Sequence, residues 1–393
     1  MSASAATRQS GSACVEECDR CVAPCSWCRR RGVTLLCLDS DDYVVMGRHY
    51  GEALAEPLAT SLRLLKQHYC DLGGLTYRQL VDKAMVFQRR YSYQFTDFLI
   101  GMAAGANLTF EDAVILNGME TIGGVADDGS SSNEKQLTFG CAFGYVKTPS
   151  GGKILRNYDY SKPFDAIAKN LVVAILKRKN TVPTAIIGMP GQIYCPTCLN
   201  GKGIFLELNN GMPSGGFTPQ LHRKSMLINM LEALQNSESM PRLKEALNSL
   251  ESDYSLIVNM ASAEELFSIE YSATLGSVPM NHDGRLFVST NHYLNKTGWD
   301  WGGAVPVPTD LTTWLGVTRR RNLLRVLGLL SRSRFDIGME LLKAVQDLPI
   351  LRGGARVPFT IYQMVFDPKT MCLAIISRKQ GDWAEFQLHK FMS

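Results

Sequence analysis

The 393-residue sequence has no apolar run of the roughly 18 residues that a membrane-spanning helix needs. Its first residues also lack the apolar core of a secretory signal. Neither sign of charge dominates, since 41 Lys and Arg face 37 Asp and Glu for a net charge of +4. No basic stripe with interleaved aromatic residues is present. These absences exclude a membrane span and argue against nucleic acid as a partner, so a cytoplasmic location is expected.

Cysteine is distributed unevenly, because five of the eleven lie close together near the N-terminus: Cys14, Cys18, Cys21, Cys25 and Cys28. Their two C-x-x-C pairs are similar to zinc or iron–sulfur ligand sets. The residues between them form no recognisable zinc finger, so we interpret residues 1–35 as a poorly ordered tail. Metal binding by the five cysteines is kept as the alternative. A further C-x-x-C, Cys195 to Cys198, is interpreted as packed thiols.

The rest of the sequence changes once, from helical spacing to runs that resemble strands. Apolar residues recur at helical spacing from Tyr43 through Leu65, and Thr109 is a candidate N-cap. A Ser-, Asp- and Gly-rich stretch, 125–136, then reads as an exposed loop. Beyond it, runs of strands alternate with runs of helices, which predicts an α+β layered sandwich. We therefore expect a mainly helical segment over 36–140, followed by a second segment over 141–393.

The second segment begins with two strand-like stretches, "QLTFGCAFGY" and "KILRNYDY", joined by the turn "TPSGG". A five-residue loop would place Lys147 opposite Lys153 and Cys141 opposite Asp159. Opposed Cβ atoms of an antiparallel pair lie about 4.5–5.5 Å apart, so a carboxylate would stand beside the thiol. In that register Arg156 would point to the other face of the hairpin.

Cys141 directly follows Gly140, and this pair suggests a peptide bond that the protein cuts itself. A glycine can adopt backbone angles closed to other residues, as a scissile position often requires. A thiol that attacks its preceding carbonyl forms a thioester, and water then releases an N-terminal cysteine. The new α-amine, with a reference pKa of about 7.7–8.0, can take the thiol proton. None of the six histidines falls within the hairpin, and this chemistry requires none. A buried core cysteine is the simpler alternative.

Taken together, "FGC", "ILRNYDY" and "STNHYL" resemble the N-terminal nucleophile (Ntn) hydrolases. Within them, the similarity is to acyl-coenzyme A:6-aminopenicillanic-acid acyltransferases and their autoproteolytic amidohydrolase relatives, and more distantly to choloylglycine hydrolases. It extends over about residues 36–330. The resemblance implies a four-layer αββα sandwich with Cys141 as nucleophile. A departure is Ala142, where relatives usually carry Ser or Thr.

The resemblance implies roles for further residues. Arg156 would orient the nucleophile and lower its pKa, and Asp159 would hold the α-amine or the thiol. Asn291 would donate its side-chain amide to the oxyanion. The remaining matches are a backbone N–H from Asn209 or Asn210 and a late arginine, for which Arg321 is the best match. His292 is interpreted as structural, and Glu270 as part of a solvated face.

The implied function is a self-processing cysteine amidohydrolase that opens a non-peptide linear amide through an acyl thioester. It needs no cofactor, and its α and β chains, separated at Gly140–Cys141, would stay associated. An N-acyltransferase that uses acyl-CoA as co-substrate fits the same residues. A non-catalytic binding protein with a metal-loaded N-terminus is the alternative of another class. A homo-oligomer is left open.

Overall fold

The computed structural model describes residues 20–22, 25–122, 140–160, 163–211, 220–282, 284–295, 311–333, 335–378 and 381–393. Over these residues the chain forms two β-sheets with helices packed on their outer faces.

The first sheet is assembled from both sides of Gly140. In spatial order its ten described strands are β1 (Arg20–Val22), β2 (Cys25–Arg30), β3 (Val33–Asp39), β6 (Leu171–Lys177), β7 (Thr184–Gly188), β8 (Thr197–Asn200), β9 (Phe205–Asn210), β10 (Leu256–Ala261), β11 (Leu266–Ser272) and β12 (Gly276–Asn281). The β3–β6 pair is parallel, and the other neighbours are antiparallel. Because β3 precedes Gly140 and β6 follows it, backbone hydrogen bonds join the two segments of the chain.

The second sheet carries the Gly-Cys sequence near its centre. Its six described strands are, in spatial order, β13 (Leu286–Ser289), β4 (Gly140–Thr148), β5 (Gly151–Asp159), β14 (Thr360–Asp367), β15 (Cys372–Ser377) and β16 (Ala384–Gln387). All neighbouring pairs are antiparallel. Strand β4 is thus held on one side by β5 and on the other by β13.

The helices form the outer layers, and five of them precede Gly140. The described helices are α1 (Tyr43–Ala53), α2 (Ala55–Lys66, continued by a π-helical turn, Gln67–Leu72), α3 (Tyr77–Gln88), α4 (Tyr93–Ala106), α5 (Phe110–Asn117), α6 (Phe164–Ile167), α7 (Met226–Gln235), α8 (Met240–Asn248), α9 (Leu311–Leu330), α10 (Met339–Asp347) and α11 (His389–Met392), with a 3-10 turn at Ile350–Arg352. Among the described helices none is long and apolar enough to cross a membrane alone, and α4 with α5 reaches that composition only as a pair bent by 115°.

The helical character expected for the first segment is present in α1 to α5. The predicted N-cap of α5 is also found, because the Thr109 hydroxyl accepts a hydrogen bond from the Asp112 N–H at 3.1 Å. Glycines let α1 and α4 pack backbone to backbone. A Cβ at Gly47 would lie 2.0 Å from the Phe98 carbonyl oxygen, and one at Gly101 would lie 2.0 Å from that of Val44. Any larger side chain there would force the two helices apart.

The layers follow the order helix, sheet, sheet, helix. Helices α1 and α7 contact the ten-stranded sheet, whereas α9 and α10 contact the six-stranded one. Between the sheets, the rings of Phe143 on β4 and Phe205 on β9 stack with centroids 6.1 Å apart. The predicted fold class, an α+β four-layer αββα sandwich, is confirmed.

The prediction of a poorly ordered tail over residues 1–35 does not hold near its C-terminal end. Residues 25–35 lie within β2 and β3 at one end of the ten-stranded sheet, and Cys28 and Val33 are buried in the core. The apolar run that starts at Val33 therefore extends the sheet, together with the cysteine-containing strand before it. The expectation of a poorly ordered tail is wrong for these residues, and residues 1–19 lie outside the described part of the chain.

Candidate active site

The hairpin register differs by one residue from the prediction. Strands β4 and β5 are joined by a two-residue turn, because Thr148 pairs with Gly151 and Lys147 with Gly152. Gly151 has φ +120, a conformation that L side chains rarely adopt, so its identity fixes this tight turn. As a result Cys141 lies opposite Tyr158, and Asp159 lies opposite Gly140.

This single-residue shift exchanges the two predicted faces, because side chains alternate along a strand. Arg156 now shares the face of Cys141, diagonally across the ladder, and points between the two sheets. Asp159 points to the other face, toward helix α9. The predicted juxtaposition of Cys141 with Asp159 is wrong, and the expected separation of Cys141 from Arg156 is wrong as well.

On the inter-sheet face the thiol meets a fixed guanidinium. Arg156 Nη2 lies 3.7 Å from Cys141 Sγ and also donates to the carbonyl oxygens of Leu208 at 2.8 Å and Pro196 at 3.2 Å. Its Nη1 forms an ion pair with Glu207 on β9 and donates to Asn209 Oδ1 at 3.2 Å. All of these groups are at least nine-tenths buried or belong to the backbone. Arg156 is therefore held in one position beside the sulfur.

The thiol itself is almost entirely buried, at 5% exposure. Burial raises its pKa to about 11. The positive charge of Arg156 opposes this shift, and the negative charge of Asp159 adds to it. In the continuous chain the sulfur is therefore protonated at neutral pH.

On the other side of the strand, the backbone of Cys141 is held by Asn291. The Cys141 N–H donates to Asn291 Oδ1 at 3.0 Å, and Asn291 Nδ2 donates to the Asn210 carbonyl at 3.0 Å. Asn291 reaches this place because β13, which ends two residues earlier, pairs directly with β4. An amide has two N–H donors, so one remains for an oxyanion.

Asn209 and Asn210 both contact residues that lie against Cys141. Asn209 takes part through its side chain, which accepts from Arg156 and donates to Ser289 Oγ at 3.1 Å. Asn210 takes part through its carbonyl oxygen, which accepts from Asn291.

The late arginine is Arg319, and the assignment to Arg321 is corrected. Arg319 Nη2 pairs with Asp159 Oδ2 at 2.5 Å, whereas Arg321 is exposed. The helical spacing of the buried residues distinguishes Arg319 from Arg321. Arg319 falls on the buried stripe that continues through Leu323 and Leu327 at intervals of four residues, and Arg321 does not.

Two further residues bind the ion pair that Arg319 and Asp159 form on the side of the sheet that faces helix α9. Thr360 Oγ1 donates to Asp159 Oδ1 at 2.6 Å, and Arg319 Nε donates to the Ala355 carbonyl at 2.9 Å. Burial raises the pKa of the Asp159 carboxyl, and Arg319 opposes that shift. The sequence around Thr360 does not predict this contact, because Thr360 reaches the site only through the β5–β14 pairing.

Gly140 lies in a space too small for a side chain. A Cβ there would stand 3.2 Å from Arg319 Nη1, 3.3 Å from Asp159 Oδ2 and 3.6 Å from Asn291 Oδ1. The close approach of Arg319 and Asp159 to the backbone therefore favours glycine here.

His292 and Glu270 lie beside the site in structural roles. His292 Nδ1 lies 3.2 Å from Thr290 Oγ1, and burial together with Arg320 lowers the His292 pKa to about 4. Glu270 is fully buried, and its carboxylate accepts hydrogen bonds from the N–H groups of Leu294 and Asn295. Its expected place on a solvated face is therefore wrong, since it anchors the chain just after Asn291.

The cysteines considered as metal ligands fall in different places. Cys14 and Cys18 lie outside the described residues, Cys21 and Cys25 lie on β1 and β2, and Cys28 is a core residue. Within the described part of the chain, no group of three or more His, Cys, Asp or Glu is arranged to hold a metal ion. Cys195 and Cys198 are both fully buried thiols.

No protein-family model matches the chain, and no curated protein matches it. Solved structures do match the chain, and three of them are described here. A mutant conjugated bile acid hydrolase from Clostridium perfringens is 12% identical, with a TM-score of 0.45 over 64% of this chain and 93% of that one. An N-acylethanolamine-hydrolyzing acid amidase ortholog from Caenorhabditis elegans is 15% identical, with a TM-score of 0.43 over 58% and 93%.

The third structure is penicillin V acylase from Agrobacterium tumefaciens, 12% identical, with a TM-score of 0.40 over 64% of this chain and 86% of that one. At 12 to 15% identity a similar shape transfers no residue roles. The roles proposed below therefore rest on contacts within this chain.

Proposed function

We propose that this protein is a cysteine amidohydrolase that first cuts its own Gly140–Cys141 bond. The observation that carries the proposal is the dual fixation of Cys141. Its sulfur lies against the Arg156 guanidinium, while its backbone nitrogen is held by Asn291. A core cysteine needs neither partner, since its packing is satisfied by apolar neighbours.

Self-cleavage proceeds through a thioester. Cys141 Sγ attacks the Gly140 carbonyl carbon, the C–N bond breaks, and the thiol proton ends on the Cys141 nitrogen. Water then attacks the thioester and releases the Gly140 carboxylate and the free thiol. Asn291, which already binds that nitrogen, keeps it in place as it changes from amide to amine.

The new amine changes the chemistry of the sulfur. In the continuous chain the thiol pKa is about 11, so little thiolate exists at neutral pH. A free α-amine has a pKa of about 7.7–8.0 and can act as the base for the adjacent thiol. The processed protein therefore has a nucleophile and a base within one residue.

Substrate cleavage uses the same atoms. The thiol attacks the carbonyl of a non-peptide linear amide, the α-amine passes the proton to the leaving amine, and an acyl thioester remains on Cys141. The second N–H of Asn291 donates to the oxyanion in this proposal. Water completes hydrolysis, and an amine in its place would give acyl transfer.

The two fragments are expected to stay associated after the cut. Strand β3, in the first fragment, pairs along seven residues with β6, in the second. This ladder lies in the interior of the ten-stranded sheet, and most of its residues are buried.

The testing experiment is the intact mass of the purified protein under denaturing conditions, beside a Cys141→Ala variant. We expect the native chain to yield fragments 1–140 and 141–393 and the variant to remain whole. A matched control is Cys372→Ala, because Cys372 is also a buried strand cysteine but is remote from Arg156 in the ladder. It should cut normally.

A native chain that stays whole from pH 6 to 9 would contradict self-processing. For the second step, the processed protein is incubated with a panel of fatty-acyl, aromatic-acyl and bile-acid amides. A mass increase on fragment 141–393 that disappears with time, and is absent when Cys141 is alkylated, would support the acyl thioester. No adduct and no product from any amide would contradict it.

A further inference from the structure

Glu207 is a fully buried carboxylate to which neither the sequence motifs nor the mechanism above assigns a role. It lies on β9 of the ten-stranded sheet and forms an ion pair, across the sandwich, with Arg156 Nη1 on β5. Its other oxygen accepts a hydrogen bond from Asn259 Nδ2 on the adjacent strand β10. The carboxylate is thus aimed at the arginine that touches the nucleophile.

The opposite end of the same guanidinium faces the sulfur. Arg156 Nη2 lies 3.7 Å from Cys141 Sγ, so the charge that would stabilise a thiolate is shared with Glu207. In a buried site such charges act strongly on one another, because little water screens them. A carboxylate on one end of the arginine therefore weakens its effect on the sulfur at the other end.

We propose that Glu207 is a positioning residue that controls the nucleophile through Arg156. It fixes the guanidinium beside Cys141 and neutralises part of its charge, so that Arg156 offsets less of the effect of burial on the sulfur. This inference rests on the proposed function in that Cys141 is taken as the nucleophile. Its consequence is a thiol that becomes reactive only when the new α-amine supplies a base.

Other charged or titratable groups near the sulfur come from each packed element: Asp159 on β5, Arg319 on α9, Tyr160 after β5 and Tyr362 on β14. These groups remain in place when Glu207 is changed. A Glu207 variant therefore isolates the contribution of the carboxylate on β9.

The test measures how fast iodoacetamide alkylates Cys141 in the folded protein between pH 6 and 10. After quenching and trypsin digestion, the continuous chain yields the peptide 136–147 and the processed chain yields 141–147. The two states are therefore read separately by mass, and the other cysteines do not interfere.

With Glu207→Gln we expect Cys141 in peptide 136–147 to react about tenfold faster at pH 7.5. This change corresponds to a midpoint about one pH unit lower, since removing the carboxylate leaves Arg156 fully charged toward the sulfur. Glu207→Asp, which withdraws the charge by one methylene, should give a smaller increase of about threefold. The expected order is Gln, then Asp, then the native protein.

The matched control is Asp253→Asn. Asp253 forms another buried ion pair, with Arg90 at 2.5 Å, so this variant loses a comparable contact elsewhere in the chain. It should lower stability without changing the rate at which Cys141 is alkylated. If Glu207→Gln does not fold, the threefold increase in Glu207→Asp still decides the question.

An unchanged or slower alkylation of Cys141 at pH 7.5 in the folded Glu207 variants would overturn the proposal, and so would an equal acceleration in Asp253→Asn. The outcome is separate from that of the proposed function. The predicted order of alkylation rates without any self-cleavage would retain the control by Glu207 and reject the processing. Self-cleavage without that order of alkylation rates would support the processing and reject the control by Glu207.

Discussion

The Gly140–Cys141 bond lies between two buried arginine–carboxylate pairs on opposite faces of one sheet. On the inter-sheet face, Arg156 pairs with Glu207 and touches the sulfur. On the helix face, Arg319 pairs with Asp159 and packs against Gly140. The first pair contacts the thiol of Cys141, and the second shapes the space around Gly140.

The two pairs also differ in how the fold builds them. The Arg156 pair joins strands of the two sheets, so it depends on how the sheets stack. The Arg319 pair joins a strand to helix α9, so it depends on how that helix lies on the sheet. Because β4 alternates its side chains between these faces, one strand brings both pairs to one peptide bond.

The largest expected effect comes from breaking the helix-side pair. Arg319→Met leaves Asp159 as an unpaired buried charge, so the free energy of unfolding should fall by about 3–5 kcal/mol and self-cleavage should stop. Denaturant unfolding and intact mass measure the two effects. Arg321→Met, an exposed neighbour on the same helix, is the control and should stay within about 0.5 kcal/mol of the native protein. Equal effects in both variants would refute the assignment of Arg319.

Asn291 links the two faces, because it holds the backbone between them. Asn291→Ala removes the partner of the Cys141 N–H and the proposed oxyanion donor. We expect self-cleavage and amide hydrolysis to slow by about 10²–10³-fold, as for loss of one oxyanion donor. Asn236→Ala, which removes an exposed helix-end amide, is the control. Rates within twofold of the native protein in Asn291→Ala would exclude the oxyanion role.

Gly140→Ala tests the crowding on the helix face without removing any charge. The added methyl group would meet Arg319 and Asp159 at 3.2–3.3 Å, so these groups must shift. We expect a loss of about 1–3 kcal/mol in stability, as in overpacked cores, and a measurable slowing of self-cleavage. Gly338→Ala adds a methyl group where no atom lies within 4 Å and should leave the rate of self-cleavage unchanged. Native cleavage kinetics in Gly140→Ala would show that the close contact is unimportant.

The pH dependence of self-cleavage separates the thiol face from the helix face. The Cys141 pKa is raised from its ordinary value to about 11, so the thiolate fraction rises about tenfold per pH unit below it. Self-cleavage of the continuous chain, followed by intact mass, should accelerate accordingly between pH 6 and 9. The stability that burial of the neutral thiol contributes is present below pH 9 and is lost as the pH rises through about 11. A flat rate profile would mean that thiolate formation does not limit the cut.

Much of the site could be predicted from local sequence. Gly140, Cys141, Arg156, Asp159 and Asn291 were all named from short motifs, and the structure brings every one of them together. The motifs did not indicate which face each side chain takes. That choice depended on whether the "TPSGG" turn uses two residues or five, and local composition allows both.

Residues that reach the site from elements far away in the sequence could not be predicted in this way. Glu207 and Thr360 occur in strands whose own sequences look like ordinary core strands, with no motif around them. Arg319 stood among three adjacent arginines, and only the burial stripe of α9 distinguishes it.

The sequence by itself determined the layered α+β class, the helical first segment and the Gly-Cys nucleophile candidate, because these depend on periodicity and on neighbours along the chain. The tertiary structure alone decided the hairpin register and the two counter-ions, Glu207 and Arg319. A one-residue shift reverses every side chain of a strand, and a buried charge takes its partner from whatever element packs against it. Both are settled by contacts between residues far apart in the chain.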